Sequence, residues 1–389
     1  MSELFDRDAL EILPLSRRVN KHDIKRDAID PDAYRVELSP SAREDVERAA
    51  DELRRAKRNG AARMLTYGAH AIKNGLGPVL ARLAERGWLT RLTTNGAGVI
   101  HDWEFAYLGQ TGEDVRRYAT EGQFGIWNET GTFINLAIIV GAYRGLGYGE
   151  SIGDMIANDG LEIPSDEELK YAILAGAECA NFPPYPRPVL DSEDASPRET
   201  LDRSAAAADL LRAKRRFALK DGKLEIPHAT KEYSIAYRAK RAGVAFGCCP
   251  MIGCDIIYAH PANNCAAIGR AAERDFLAFA QDVSRLEGGV YLSVGSAVLS
   301  PMIFEKSLSM SRNVARRENR ALNDFAIHVV DLAAESWDWN AGEPPIANPA
   351  YYLRYCKTFS RMGGRMTYCS ADNRSWFVAL LNTLEAKPQ

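Results

Sequence analysis

The sequence predicts an α/β fold built on a parallel sheet with helices on both faces. Three observations predict it. A strand–helix–strand unit is written across "ARMLTYGAHAIKNGLGPVLARLAERGWLTRLTTNGAG". Apolar strands recur at "GVAFGCC", "VYLSVG" and "DFAIHVVDLA", and helical patterns separate them. Strands joined through a crossover helix pair in parallel, with a right-handed connection.

Residues 1–40 are polar and irregular and are expected to form an N-terminal arm, with 41–389 a single α/β domain. "SPSAREDVERAADELRRAKRNG" predicts a helix with Ser41 as its cap and Gly60 as its stop. In the strand–helix–strand unit the helix runs to about Arg86, Gly87 ends it, and the second strand enters an Asn-Gly turn. "NFPPYPRPVLDSEDASPRETLDRS" is proline-rich and acidic, which predicts an exposed excursion over about 178–232. Helical spacing returns in "AAIGRAAERDFLAFAQDVSRLEGG". The next strand breaks at Gly295-Ser296, and "SWFVALLNTLE" is a closing helix.

The bulk numbers exclude several classes. The chain has 389 residues, 46% of them hydrophobic, and a net charge of −3, so nothing points to nucleic acid. No apolar run approaches a membrane span, and the charged N-terminus lacks a secretory core, so the expected location is cytoplasmic. Seven cysteines include "GCCPMIGCD", which has no CxxC pair; buried or pocket-lining thiols are expected there, and no metal.

A glycine at the carboxyl end of a parallel strand lets a ligand approach the backbone, because no Cβ intervenes. Three such turns recur, in "TYGAHAIKNG", "TTNGAGVIHD" and "SVGSAVLSP". None has the G-x-G-x-x-G spacing, and no Walker motif is present. Three together predict a nucleotide cleft.

Read in order, the motifs resemble the deoxyhypusine synthase superfamily. "YGAHAIKNGL" is similar to its Ser-Asn-Leu-Ile-Ser-Ser-Gly segment, and "TTNGAGVIHD" to its Thr-Thr-Ala-Gly-Gly-Val-Glu-Glu-Asp. "GCDIIYAHPANN" resembles its Gly-Asp-Met-Ile-x-x-His-Ser-Tyr-Lys-Asn, and "SADNRSWFVALL" its terminal Ala-Asp-Ala helix. "NGAGVIHDWEFAYLG" is also similar to a His-Asp-Ile-Glu segment of ornithine cyclodeaminase-type bifunctional enzymes. The resemblance implies a Rossmann-like sheet, bound NAD, an amine substrate and a homotetramer. It places Ala69, His70, Thr93, Thr94, Gly96, Ala97, Gly295, Ser296 and Asp372 against the cofactor. Asp255 and Asn264 fall at substrate-facing positions, Asp255 opposite an ammonium.

The chain also departs from that family. Its Glu-Glu is Ile100-His101 here, and its Lys-His-His run is Leu299-Ser300-Pro301. Its imine-forming lysine aligns with Leu353 or Arg354 in "NPAYYLRYCK", with Lys357 the nearest lysine. Arginine cannot form the imine. Hydride transfer needs no such lysine.

His101 is the expected proton shuttle, with Asp102 and Glu104 beside it on the substrate side; the alternative is a helix start dressed with acids. His260 follows a strand and is either a site group or a structural histidine. Glu129 is read as a loop hydrogen bond and Lys306 as a helix-face lysine. Trp337 is a candidate pocket wall, and with Trp339 a candidate subunit contact. These residues predict an NAD-dependent enzyme oxidising an amine or amino-acid-like substrate. The alternatives are aminobutyl transfer through Lys357, or a non-catalytic NAD-binding oligomer.

Overall fold

A computed structural model describes residues 3–179, 197–334 and 337–386. Six parallel strands form its central sheet: β1 (Arg63–Tyr67), β2 (Arg91–Asn95), β3 (Ala245–Cys249), β4 (Gly289–Val294), β5 (Phe325–Asp331) and β6 (Arg365–Ser370). Every residue of β1 and β4 is buried. A parallel sheet covered on both faces demands this, and it explains why these strands read as continuous apolar runs rather than alternating ones. The strand order is β6-β5-β4-β1-β2-β3. The direction of winding therefore reverses between β1 and β4, in the order of a dinucleotide-binding sheet.

The chain divides into two compact units. The sheet belongs to one, made of 20–112, 229–251 and 275–389. The other comprises 1–19, 113–228 and 252–274. The 40 residues read as an arm are divided between them at Val19.

In the sheet unit, α1 (Pro40–Arg58) is capped by Ser39, not Ser41: the Ser39 hydroxyl accepts from Ala42 N–H, and Pro40 takes the first helical position. Its buried stripe is Ala42, Val46, Ala49, Leu53 and Ala56, and the small residues let it lie close on the sheet. The crossover between β1 and β2 is made by α2 (Ala69–Lys73) and α3 (Gly77–Glu85), as expected, with Gly87 left-handed after it. β2 leads into α4 (Gly96–Leu108), and α5 (Ile235–Arg241) precedes β3. The helix Cys265–Val283 then leads to β4. α6 (Leu299–Arg317), α7 (Arg354–Ser360) and α8 (Asn373–Glu385) complete the set. On one face Tyr291 stacks on Phe304 at 4.3 Å between ring centroids, and Phe325 and Phe359 close around them.

The second unit is mainly helical. Asn128–Arg144 is buried along nearly its whole length and packs against Tyr148–Asn158. A Cβ at Gly141 would lie 1.8 Å from Ser151 Oγ, so the glycine sets how closely these helices meet. Much of the expected excursion is ordered structure: Pro197–Arg216 is a helix, and Gly222–Glu225 pairs antiparallel with Gly160–Ile163. Residues 180–196 of that excursion lie outside the described residues.

Beneath α1 the sheet buries a polar pair. His328 Nε2 lies 2.6 Å from Glu52 Oε2. Burial pushes the Glu52 carboxyl up, but the bond and charge of His328, with Arg365 and Arg55, hold it below its ordinary value. A depressed carboxyl contributes stability above the unfolded value and loses it as pH falls through the folded one. Glu52→Gln is therefore expected to lower stability by about 1–3 kcal/mol at neutral pH, with a deficit that shrinks as pH falls through the carboxylate range. Urea unfolding of both proteins across acid pH measures this; a deficit that does not change with pH contradicts it.

Candidate active site

The ends of β1 and β4 meet more closely than side chains allow. A Cβ on Gly68 would stand 2.1 Å from the Gly295 carbonyl oxygen. Gly295 itself is left-handed at φ +59°, so glycine is required there for a second reason. A Cβ at Gly295 would meet nothing nearer than Asn373 Nδ2 at 3.8 Å, so the backbone above it is accessible. Asn373 opens α8, which follows β6. Three strand-to-helix junctions thus converge at the carboxyl edge, where winding reverses and open α/β sheets take their ligands.

The Asn-Gly-Ala-Gly turn works differently from its reading in the sequence. Asn95 caps α4 by accepting from Gly98 N–H. A Cβ at Gly98 would lie 2.2 Å from Thr94 Oγ1, and that hydroxyl donates to the Tyr67 carbonyl. Gly98 therefore seats the helix on its own strand. Thr94 is fully buried in this arrangement; Thr93 is also buried, and its hydroxyl has no hydrogen-bond partner among the described residues. Gly96 is buried and Ala97 half-buried at the start of α4.

Farther along α4, His101 joins a relay. Thr111 Oγ1 donates its hydrogen to the Glu104 carboxylate, and His101 Nδ1 lies 2.8 Å from the same oxygen. A hydroxyl has one hydrogen to give, so the bond from His101 runs from ring to hydroxyl. Nδ1 carries hydrogen, and Nε2 is the basic nitrogen of the neutral ring. Glu104 and Thr111 are buried, while His101 is half-buried. Asp102 points elsewhere. Its oxygens accept from the Ser234 hydroxyl and from Ile235 and Ala236 N–H, anchoring the start of α5. Burial pushes its carboxyl up to about 6 against those bonds. Asp102 thus holds the fold where Glu104 serves the relay.

A cavity of about 490 Å³ lies in the same unit. Thr111 pairs with His22 in the short antiparallel ribbon His22–Asp23/Gln110–Thr111, and directly opposed side chains share a face. His22 lines the cavity, together with Arg26, Asp27, Asp30 and Tyr34 from the same segment. The end of α2 contributes Lys73 and Asn74, and the start of α8 contributes Arg374. All of these belong to the sheet unit, and none was singled out in the sequence. Their signal was faint: "NKHDIKRDAID" holds two large apolar residues, Ile24 and Ile29, which are buried and fix the segment in place.

The remaining expected residues fall in several places. Ala69 is half-buried and His70 exposed at the start of α2. Burial, then Lys73, lowers the pKa of the His70 ring. Ser296 accepts from Ser300 N–H at 3.3 Å. Asp372 caps α8, accepting from Arg374 and Ser375 N–H, and also pairs with the Arg374 guanidinium. Lys357 sits in the last turn of α7, which leads to the amino end of β6. It lies 3.1 Å from Glu343 and 3.5 Å from the Tyr351 ring centre, contacts that an ammonium makes. Trp337 gives its indole N–H to the Gly342 carbonyl and packs with buried Trp339 against the hydrophobic core.

His260, Asp255 and Asn264 belong to the helical unit. His260 Nδ1 accepts from Ala262 N–H, and the ring is buried against Gly131. Burial, then Arg216 and Arg7, pushes the ring down to about 4, so it is neutral near pH 7. Asn264 caps the helix Cys265–Val283 through Ala267 N–H, and half-buried Asp255 precedes a short 3₁₀ turn. Glu129 makes the expected loop bond, to Leu15 N–H. Cys248 is buried and Cys249 half-buried, while Cys254 is exposed.

No protein-family model matches the chain, and no curated protein matches its sequence. Solved structures do. Unliganded AgrE aligns at 15% identity with a TM-score of 0.41, over 90% of this chain and 34% of AgrE. ArgZ, an arginine dihydrolase of cyanobacteria, aligns at 12% and 0.41, over 89% and 32%. A conserved LOR/SDH protein from Methanococcus maripaludis S2 aligns at 14% and 0.39, over 91% and 72%. The chain spans about a third of the length of AgrE and ArgZ. None of the three is described as a deoxyhypusine synthase, so that part of the sequence resemblance gains no support. Alignments at this level carry no inference about chemistry.

The relay has a spectroscopic consequence. Ring ¹⁵N–¹H correlations are expected to show His101 as the Nδ1–H tautomer in the native protein, moving toward Nε2–H in Thr111→Val. An Nε2–H tautomer in the native protein contradicts the relay.

Proposed function

We propose that the chain is an NAD-dependent enzyme that oxidises an amine or amino-acid-like substrate. The approach of Gly68 to Gly295, at the reversal point of this strand order, is the observation that carries the reading. Such crevices receive dinucleotides, and here the strand ends present backbone without a Cβ in the way. Ala69, Gly295, Ser296 and Asn373 are the residues in position to hold the cofactor. When bound, NAD supplies the hydride acceptor.

The chain's own residues supply the proton chemistry. Oxidation of a carbon bearing nitrogen removes a hydride from carbon and a proton from nitrogen, leaving an imine. His101 takes the proton at Nε2. The hydroxyl of Thr111 holds Nδ1–H, and Glu104 stabilises the imidazolium that forms. Aminobutyl transfer would require a neutral, nucleophilic Lys357, and its pairing with Glu343 gives no observation in favour of that role. Tetrameric assembly belongs with the deoxyhypusine synthase resemblance and remains part of the proposal only through it.

Calorimetry should register NAD binding to the purified chain, and absorbance at the reduced nicotinamide band should rise with a suitable amino-acid or amine substrate. His101→Ala is expected to lower turnover by about 10²–10⁴-fold. NAD affinity should change by less than about tenfold. A variant that loses NAD and turnover together removes His101 from the proton step.

A further inference from the structure

The cavity lined by Lys73 and Asp30 has an uneven charge balance. Arg26 is held by Asp27 through two bonds, at 2.7 and 2.8 Å. Arg374 is held by Asp372 in the same two-pronged manner. Both guanidinium groups are thus neutralised where they stand. Lys73 is different: among the described residues it makes no ion pair. Half-burial, then the charge of Lys21, another cation, lowers the Lys73 pKa. Asn74 and Tyr34 add an amide and a hydroxyl to the same wall. At the exposed side, Asp30 uses one carboxylate oxygen on Asp32 N–H and pairs with no cation among the described residues.

One uncompensated cation with neutral donors beside it, and one uncompensated carboxylate at the rim, form the complement of a zwitterion. We propose that this cavity binds a free α-amino acid, with Lys73 as counter-ion to its carboxylate and Asp30 facing its ammonium group. A lone carboxylate would leave Asp30 without a partner, and a simple amine would leave Lys73 without one. Half-buried charge is costly without a partner, so Lys73 favours ligands that bring the opposite sign. The volume of about 490 Å³ accommodates an amino acid with a long side chain. His22, on the cavity wall, stands opposite Thr111 in the ribbon, and Thr111 in turn bonds His101. The inference deepens the amine-oxidising reading by naming its substrate class, and it rests on that reading only for the reaction that follows binding.

The test begins with a thermal-shift screen of the common L-amino acids and ornithine against the full chain without NAD. Calorimetry then compares the best binder with its decarboxylated amine. The amino acid is expected to bind at least about tenfold more tightly than the amine. Lys73→Met should remove most of that difference, and Lys73→Arg should retain it; NAD affinity should stay within about twofold in both. The inference fails if no amino acid binds, if the amine binds equally well, or if Lys73→Met leaves the preference intact. It also fails if Lys73→Met weakens NAD as much as the amino acid, since the cavity would then belong to the dinucleotide. The comparison of ligands on the native protein stands even if a variant does not fold. Amino-acid binding without NAD binding would instead sink the proposed reaction and leave this site in place.

Discussion

Two backbones touching where side chains cannot fit set the terms for the sheet unit. The carbonyl of Gly295 occupies the place that any Cβ on Gly68 would need. β1 and β4 are neighbours because winding reverses between them, so both connecting segments leave from one point and turn opposite ways. Glycine at both ends keeps that point narrow in side chains and open to a ligand. α2, which follows β1, and α8, which follows β6, then bring Lys73, Asn74 and Arg374 to one cavity.

A second constraint sits on α4. Its glycines, which looked like a flexible turn, fasten the helix to β2 through Thr94 and Tyr67. Rigid seating is what the proposed proton step requires, since Thr111 and Glu104 hold the His101 ring in one tautomer. Asp102 contributes from the other side of the helix by anchoring α5. Three ionisable residues in four positions thus divide into a relay and a structural anchor, according to the helix face each occupies.

Much of the fold was legible because it is local. The strand–helix–strand unit, the break at Gly295 and the closing helix all follow from glycine placement and apolar runs. β6 was missed: "RMTYCS" carries one strongly apolar residue, and an edge strand needs less burial than a central one. Ser39 was passed over for Ser41 because proline at the first helical position moved the cap upstream. Division into two units was illegible, since three separated segments make up each one.

The site was read only in part. His101 and Glu104 are in contact through Thr111, ten and seven positions on, whose role no motif announced because it lies beyond the end of their helix. Lys73 and Arg374 lie 301 positions apart in sequence, and only the sheet's winding brings them to one cavity. Asp255, Asn264 and His260 looked like site residues because their motif matched in order, yet Asn264 and His260 are spent on helix capping and packing.

Hydrogen–deuterium exchange with and without NAD tests the central claim most directly. The account expects slower exchange on NAD addition in backbone amides just after β1, at Ala69 to Ile72, and just after β4, at Gly295 to Val298. Protection confined to other segments, with these two unchanged under saturating NAD, contradicts it.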